Sequence, residues 1–230
     1  MKTGRAPRDK AVIDRLLSGW LGEARSLATA GKPVEAEHRF SKVARDFAGL
    51  RNVGEARQAA ERLRASAPVA DQRARREQIA SWEEARRREV GELIGTLQAP
   101  GSIPSPQVRA RAEGMIRTLA RTADEDPESE PALAARRVLE LFYSFLSFYL
   151  PRDFLGRGEY SRAIMPLDLA VEIRDDNPVV WYNLACAHAR AGSKKRALEA
   201  LERAVRAGFT DRAHIEGDDD LAALREEKCY

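Results

Sequence analysis

Residues Trp181 to Ala204 read WYNLACAHARAGSKKRALEALERA, and this stretch decides the fold. Trp181, Leu184, Ala185 and His188 recur at the three- and four-residue spacing of one helical face, and Ala197, Leu201 and Ala204 resume that spacing after a break. The break holds Gly192, a residue type that ends helices because it accepts positive φ without a Cβ penalty. Small Ala185, Ala197 and Ala204 let two helices approach closely, while Trp181, Leu184 and Leu201 fill the space between them and a neighbouring pair.

A shift of 34 residues lays this stretch on the one before it. Leu150 then matches Leu184, Gly158 matches Gly192, Ala163 matches Ala197, Leu167 matches Leu201 and Ala170 matches Ala204. Such a period marks a repeated helix pair. The pattern Trp181-x2-Leu184-Ala185-x2-His188 followed by Ala197-x3-Leu201-x2-Ala204 resembles a tetratricopeptide repeat (TPR), over about residues 145–210. His188 stands where a larger aromatic is usual and Phe209 where proline is usual; in the earlier copy Ser147, Pro151 and the mid-helix Pro166 also depart from the pattern. Pro166 predicts a kink or a delayed helix start. Residues 12–48 carry a third, looser match: Trp20-x2-Glu23-Ala24-x2-Leu27, Gly31, then Ala36-x3-Phe40, with Glu23 in place of leucine. After the last repeat, Phe209, Ile215, Leu221 and Leu224 predict a capping helix over the exposed end, because a repeat cannot bury its face alone.

The remaining windows are also helical in period, with no alternating strand run, so the chain is predicted to be all-α: TPR-like hairpins joined by longer helices, a short α-solenoid with a carboxyl-terminal cap. Helices are expected over about 10–29, 34–47, 53–65, 71–98, 106–122 and 131–150. Ala99 to Pro106 (APGSIPSP) is a loop, and its Ser105-Pro106 pair is a helix start, a capping hydroxyl before a residue that needs no amide partner. These breaks divide the chain into 1–66, a linking region 67–130, and 131–230. The 71–98 helix carries a charged centre, Glu83 to Glu89, beside an apolar strip of Ile79, Trp82, Val90, Leu93 and Leu97 that suits antiparallel pairing with a second copy.

Among 230 residues there are 39 basic and 36 acidic side chains, a net charge of +3. Residues 1–66 hold 14 basic against 8 acidic groups. That excess could touch phosphates, but a solvated surface with a short basic leader (Lys2, Arg5, Arg8, Lys10) is the better account, and nucleic acid is not the expected partner. With two cysteines, Cys186 and Cys229, no disulfide framework is implied, and no apolar run reaches the roughly 20 residues of a spanning helix. No amino-terminal signal segment is visible, so a cytoplasmic protein that does not enter a membrane is expected.

Catalytic spacing is missing. His38, His188 and His214 are isolated, and Cys186 and His188, two apart on a helix, point to different sides. No Cys-x2-Cys, His-Glu-x2-His or Gly-x-Ser-x-Gly pattern occurs. No catalytic residue, metal or cofactor is therefore expected, and the chain is read as a non-enzyme. The TPR resemblance implies a protein–protein interaction or scaffolding module whose first helices line a concave face for a peptide or a partner's helix. Carried over by repeat position, that face comprises Phe145, Phe148, Tyr149 and Arg152 from one copy, and Tyr182, Asn183, Cys186 and Arg190 from the next. Alternatives are a self-associating module using helix 71–98, or an accessory tail like those of bacterial hydrolases and thioredoxin-like proteins.

Overall fold

Helix ends fall where local chemistry can satisfy their orphan amides. In a computed structural model, which describes residues 6–101 and 103–225, the Ser105 hydroxyl accepts from the Val108 amide, with Pro106 following. Ser129 accepts from Ala132 and Asn177 from Val179 in the same way. Turns close on glycines with positive φ, among them Gly31 at 73°, Gly158 at 72° and Gly192 at 79°. The described residues are all-α, and they divide into two compact units, 1–78 and 79–230.

The first unit contains α1 (Ala6–Thr29), α2 (Pro33–Asp46), α3 (Gly54–Arg64) and the beginning of α4 (Ala67–Gln98). Its small core joins Ala24, Phe40, Val43, Phe47, Ala56 and Ala60. The Trp20 ring meets Phe47 edge-on at 5.5 Å, and the Arg39 guanidinium lies over the Trp20 ring at 4.6 Å. Glu23, the polar departure in the hairpin pattern, receives a hydrogen bond from Arg39 of α2 and so sits on the hairpin's outer edge rather than in its core.

The second unit begins inside α4 and continues through α5 (Pro106–Glu125), α6 (Glu130–Ser144), a π-helical turn (Phe145–Tyr149), α7 (Leu150–Gly156), α8 (Tyr160–Ile173), α9 (Pro178–Arg190) and α10 (Lys194–Arg206). A short helix α11 (Arg212–Gly217) and a 3₁₀ turn (Asp219–Leu224) follow. Successive helices pair: α5 with α6, α7 with α8, α8 with α9, α9 with α10, and the 3₁₀ turn returns onto α9. The two copies found at the 34-residue shift therefore become adjacent helix pairs, with Ala163, Leu167, Ala170, Ala197 and Ala204 all inside. Pro166 neither delays nor interrupts α8, which starts at Tyr160 and buries the proline ring.

Two expectations need correction. The unit boundary lies at 78/79, within α4, rather than at residue 66, and residues 79–130 are not a linker. Val90, Leu93, Ile94 and Leu97 of α4 are buried with Met115, Ile116 and Leu119 of α5, and Trp82 packs against the same core. Of the strip assigned to pairing with a second copy, Trp82, Val90, Leu93 and Leu97 are thus taken up by the core of the chain's own second unit. Buried Arg162 of α8 reinforces this join by donating to the backbone carbonyls of Leu97 (3.2 Å) and Ala99 (2.7 Å), where α4 ends and its last carbonyls lack amide partners.

Candidate functional site

The eight residues of the expected binding face meet two different fates. The first four lie along the α6–α7 run. Phe148 and Tyr149 are 52% and 56% exposed, Phe145 is half-buried and Arg152 is exposed. Their rings form a contiguous group: Phe145 and Tyr149 are 5.2 Å apart, Phe148 meets Tyr149 edge-on at 5.2 Å, and the Arg152 guanidinium lies 5.7 Å over Phe148.

Local chemistry produces this cluster. Pro151 has no amide to bond the Ser147 carbonyl, and its ring would crowd that carbonyl in a regular helix. The chain answers with a π-helical turn in which the Leu150 amide bonds back to Phe145. The widened turn keeps Phe142 and Leu146 in the core and leaves Phe148 and Tyr149 at the surface. The sequence offered Pro151 as a departure from the repeat; its role in turning two aromatics outward was not legible there.

The second four lie on α9, and three of them are engaged by the chain itself. Tyr182 is only 5% exposed and Cys186 only 4%. The Phe209 ring stacks on Tyr182 with centroids 4.2 Å apart and planes 3° from parallel. The Tyr182 hydroxyl donates to the Asp218 carboxylate, which also lies 3.7 Å from the Cys186 sulfur. Arg190 reaches Asp220 at 3.6 Å while its guanidinium lies 4.8 Å over the Tyr160 ring. Leu221 and Leu224 complete the cover and are fully buried. Asn183, half-buried, is the remaining member. The expected open groove at Tyr182, Cys186 and Arg190 is therefore corrected: the residues after α10 close it.

Electrostatics follow this packing. Burial raises the Tyr182 hydroxyl pKa well above its ordinary value, and acceptance by Asp218 adds to the effect. Burial beside Asp218 pushes the Cys186 thiol up to about 12, so it is not a nucleophile at neutral pH. Burial works against the Asp218 carboxylate, but bonds from the Tyr182 hydroxyl and the Asp220 amide outweigh it and hold the group below the usual carboxylate range. Asp220 moves the other way, raised by burial and by the neighbouring Asp218 charge. His188 is buried on another side of α9, and desolvation lowers its pKa. A polar groove of about 560 Å³ opens beside it; of its arginines, Arg109 is bonded to Asp168 at 3.0 Å and Arg206 to Glu202 at 2.5 Å.

Among the described residues, no group of three or more His, Cys, Asp or Glu side chains could hold a metal ion, and no helix is long and apolar enough to cross a membrane. Cys229 lies outside the described residues.

Part of the chain is similar to a chloroplastic protein of Arabidopsis thaliana. The similarity is 30% identity over 81 residues, 34% of this chain and 24% of that protein. The matched part thus spans about a quarter of the relative's length. No family model matches the chain, and no solved structure matches it.

Proposed function

We propose that this chain is a TPR-type interaction module, a non-catalytic scaffold that holds a peptide or a helix of a protein partner on the faces of its helix pairs. The observation that carries the reading is the ring cluster in which exposed Phe148 and Tyr149 stand beside half-buried Phe145, with Arg152 next to them. Exposed aromatics and arginine clustered on rigid helices supply contact area at low entropy cost, together with a charge for a carboxylate or a backbone carbonyl. The 34-residue repeat and the stacked pairs α7–α8 and α9–α10 support the TPR part of the proposal. A reducing compartment such as the cytoplasm suits a chain with a buried free thiol at Cys186.

The test is selection from a library of displayed 15-residue peptides on the immobilised chain, repeated on Phe148→Ala/Tyr149→Ala/Arg152→Ala. The three side chains are exposed, so the variant is expected to keep its helicity. Selected peptides should lose roughly ten-fold or more in affinity for the variant. A chain that selects no peptide, or a variant that keeps the full affinity, refutes the proposal.

A further inference from the structure

The closure of α9 has a chemical pattern of its own. Phe209 contributes a ring to Tyr182, Asp218 takes the Tyr182 hydroxyl, Asp220 meets Arg190 and Tyr160, and Leu221 and Leu224 fill the apolar floor. This is the combination of carboxylates and spaced apolar anchors by which an extended or helical peptide is read. The occupying segment is also more lightly anchored than the helices it covers. Helix α11 buries no residue, and the 3₁₀ turn buries two leucines, whereas α9 buries eight residues and α10 four. Segments with few buried contacts open locally at a lower free energy than the core to which they attach. Three consecutive carboxylates, Asp218 to Asp220, add mutual repulsion at the point of attachment, with His214, Arg190 and Arg225 as the facing cations or potential cations.

We propose that Phe209–Leu224 is an intramolecular occupant of a peptide-binding face on α9, and that the partner which displaces it is an acidic peptide with the spacing of Asp218-x-Asp220-Leu221-x-x-Leu224. This rests on the reading that the faces of these helix pairs bind peptides. The segment then serves as a gate: the open cluster at Phe148 and Arg152 is available at all times, while Tyr182 and Cys186 become available only when the segment leaves and Arg190 is released from Asp220 at the same moment.

Cys186 reports the opening, because its sulfur lies under Asp218. In a Cys229→Ser background, labelling of Cys186 by a maleimide is compared between the parent and Leu221→Ala/Leu224→Ala, which truncates the two buried anchors of the segment and leaves the carboxylates beside the thiol in place. The variant is expected to label roughly ten-fold faster or more, the scale of lost buried leucine packing. A synthetic peptide spanning residues 211–225 should restore the protection, and the same peptide with alanine at Asp218, Asp220, Leu221 and Leu224 should not. Equal labelling rates, or no protection by the acidic peptide, overturn the proposal. Hydrogen exchange on the unaltered chain tests it without substitutions. Amides of 211–224 should exchange through openings that leave α9 and α10 protected, and exchange only together with those helices overturns it. Failure of the Phe148 cluster to select peptides leaves both readouts unchanged, so the two proposals fail separately.

Discussion

Glu83 is the most informative single carboxylate in the chain. It projects from α4, is 14% exposed, and accepts both Nε (3.1 Å) and Nη2 (2.6 Å) of Arg137 on α6, together with Arg87 one turn along its own helix. The paired bonds from Arg137, then those from Arg87, lower its pKa from 4.5 to about 2 against an opposing effect of burial. Taken at face value, that displacement is worth about 3 kcal/mol. Arg137 and Arg87 are 53% and 40% exposed, however, so water screens much of it, and about 1 kcal/mol is the working figure. Because the folded pKa is depressed, this stability is fully present above pH 4.5 and is lost as pH falls toward 2. Glu83→Gln should therefore unfold about 1 kcal/mol more easily at pH 7, and the gap from the parent should narrow steadily below about pH 4.5. The assay is urea unfolding followed by tryptophan fluorescence in a Trp20→Phe background, so that Trp82 and Trp181 report only the second unit. A gap that does not change with pH, or one below about 0.3 kcal/mol at pH 7, refutes the role given to this ion pair.

Two further outcomes test the packing. Leu167→Ala removes a fully buried side chain from the join between the repeat copies and should cost the second unit about 2–5 kcal/mol, read by the same urea titration. Gly192→Ala should cost only about 1 kcal/mol, because a Cβ there meets nothing within 4 Å and the penalty is that of a positive φ at 79°; a loss near that of Leu167→Ala would mean the turn is sterically crowded.

Much of the fold was legible because helices announce themselves locally. The alternation of apolar spacing with Gly158 and Gly192 and the Ser105-Pro106 start each require only residues within a turn or two of one another, the 34-residue shift merely repeats that local pattern, and the structure has helices and turns at those places. Pro166 was less legible. A proline inside a helix predicts a break, but α8 is held by buried Leu167, Leu169 and Ala170 on the same helix, and packing outweighs one missing amide bond. Part of the candidate face was legible as well: Phe148, Tyr149 and Arg152 are exposed. Tyr182 and Cys186 were read as open because nothing near Tyr182 in sequence says that Asp218, 36 residues later, returns to it.

By itself, then, the sequence determined the all-α class, the repeat and the helix pairs, since each follows from periodicity and from the conformational limits of glycine and proline. The tertiary structure alone decided which apolar faces are covered and by what. Val90, Leu93 and Leu97 are buried in the core of their own unit, Arg162 closes the end of α4, and residues 209–224 occupy the face of α9. The physical reason is that a helix encodes its own apolar face in a few local residues, but the partner for that face is chosen by burial and charge matching among segments far apart in the chain.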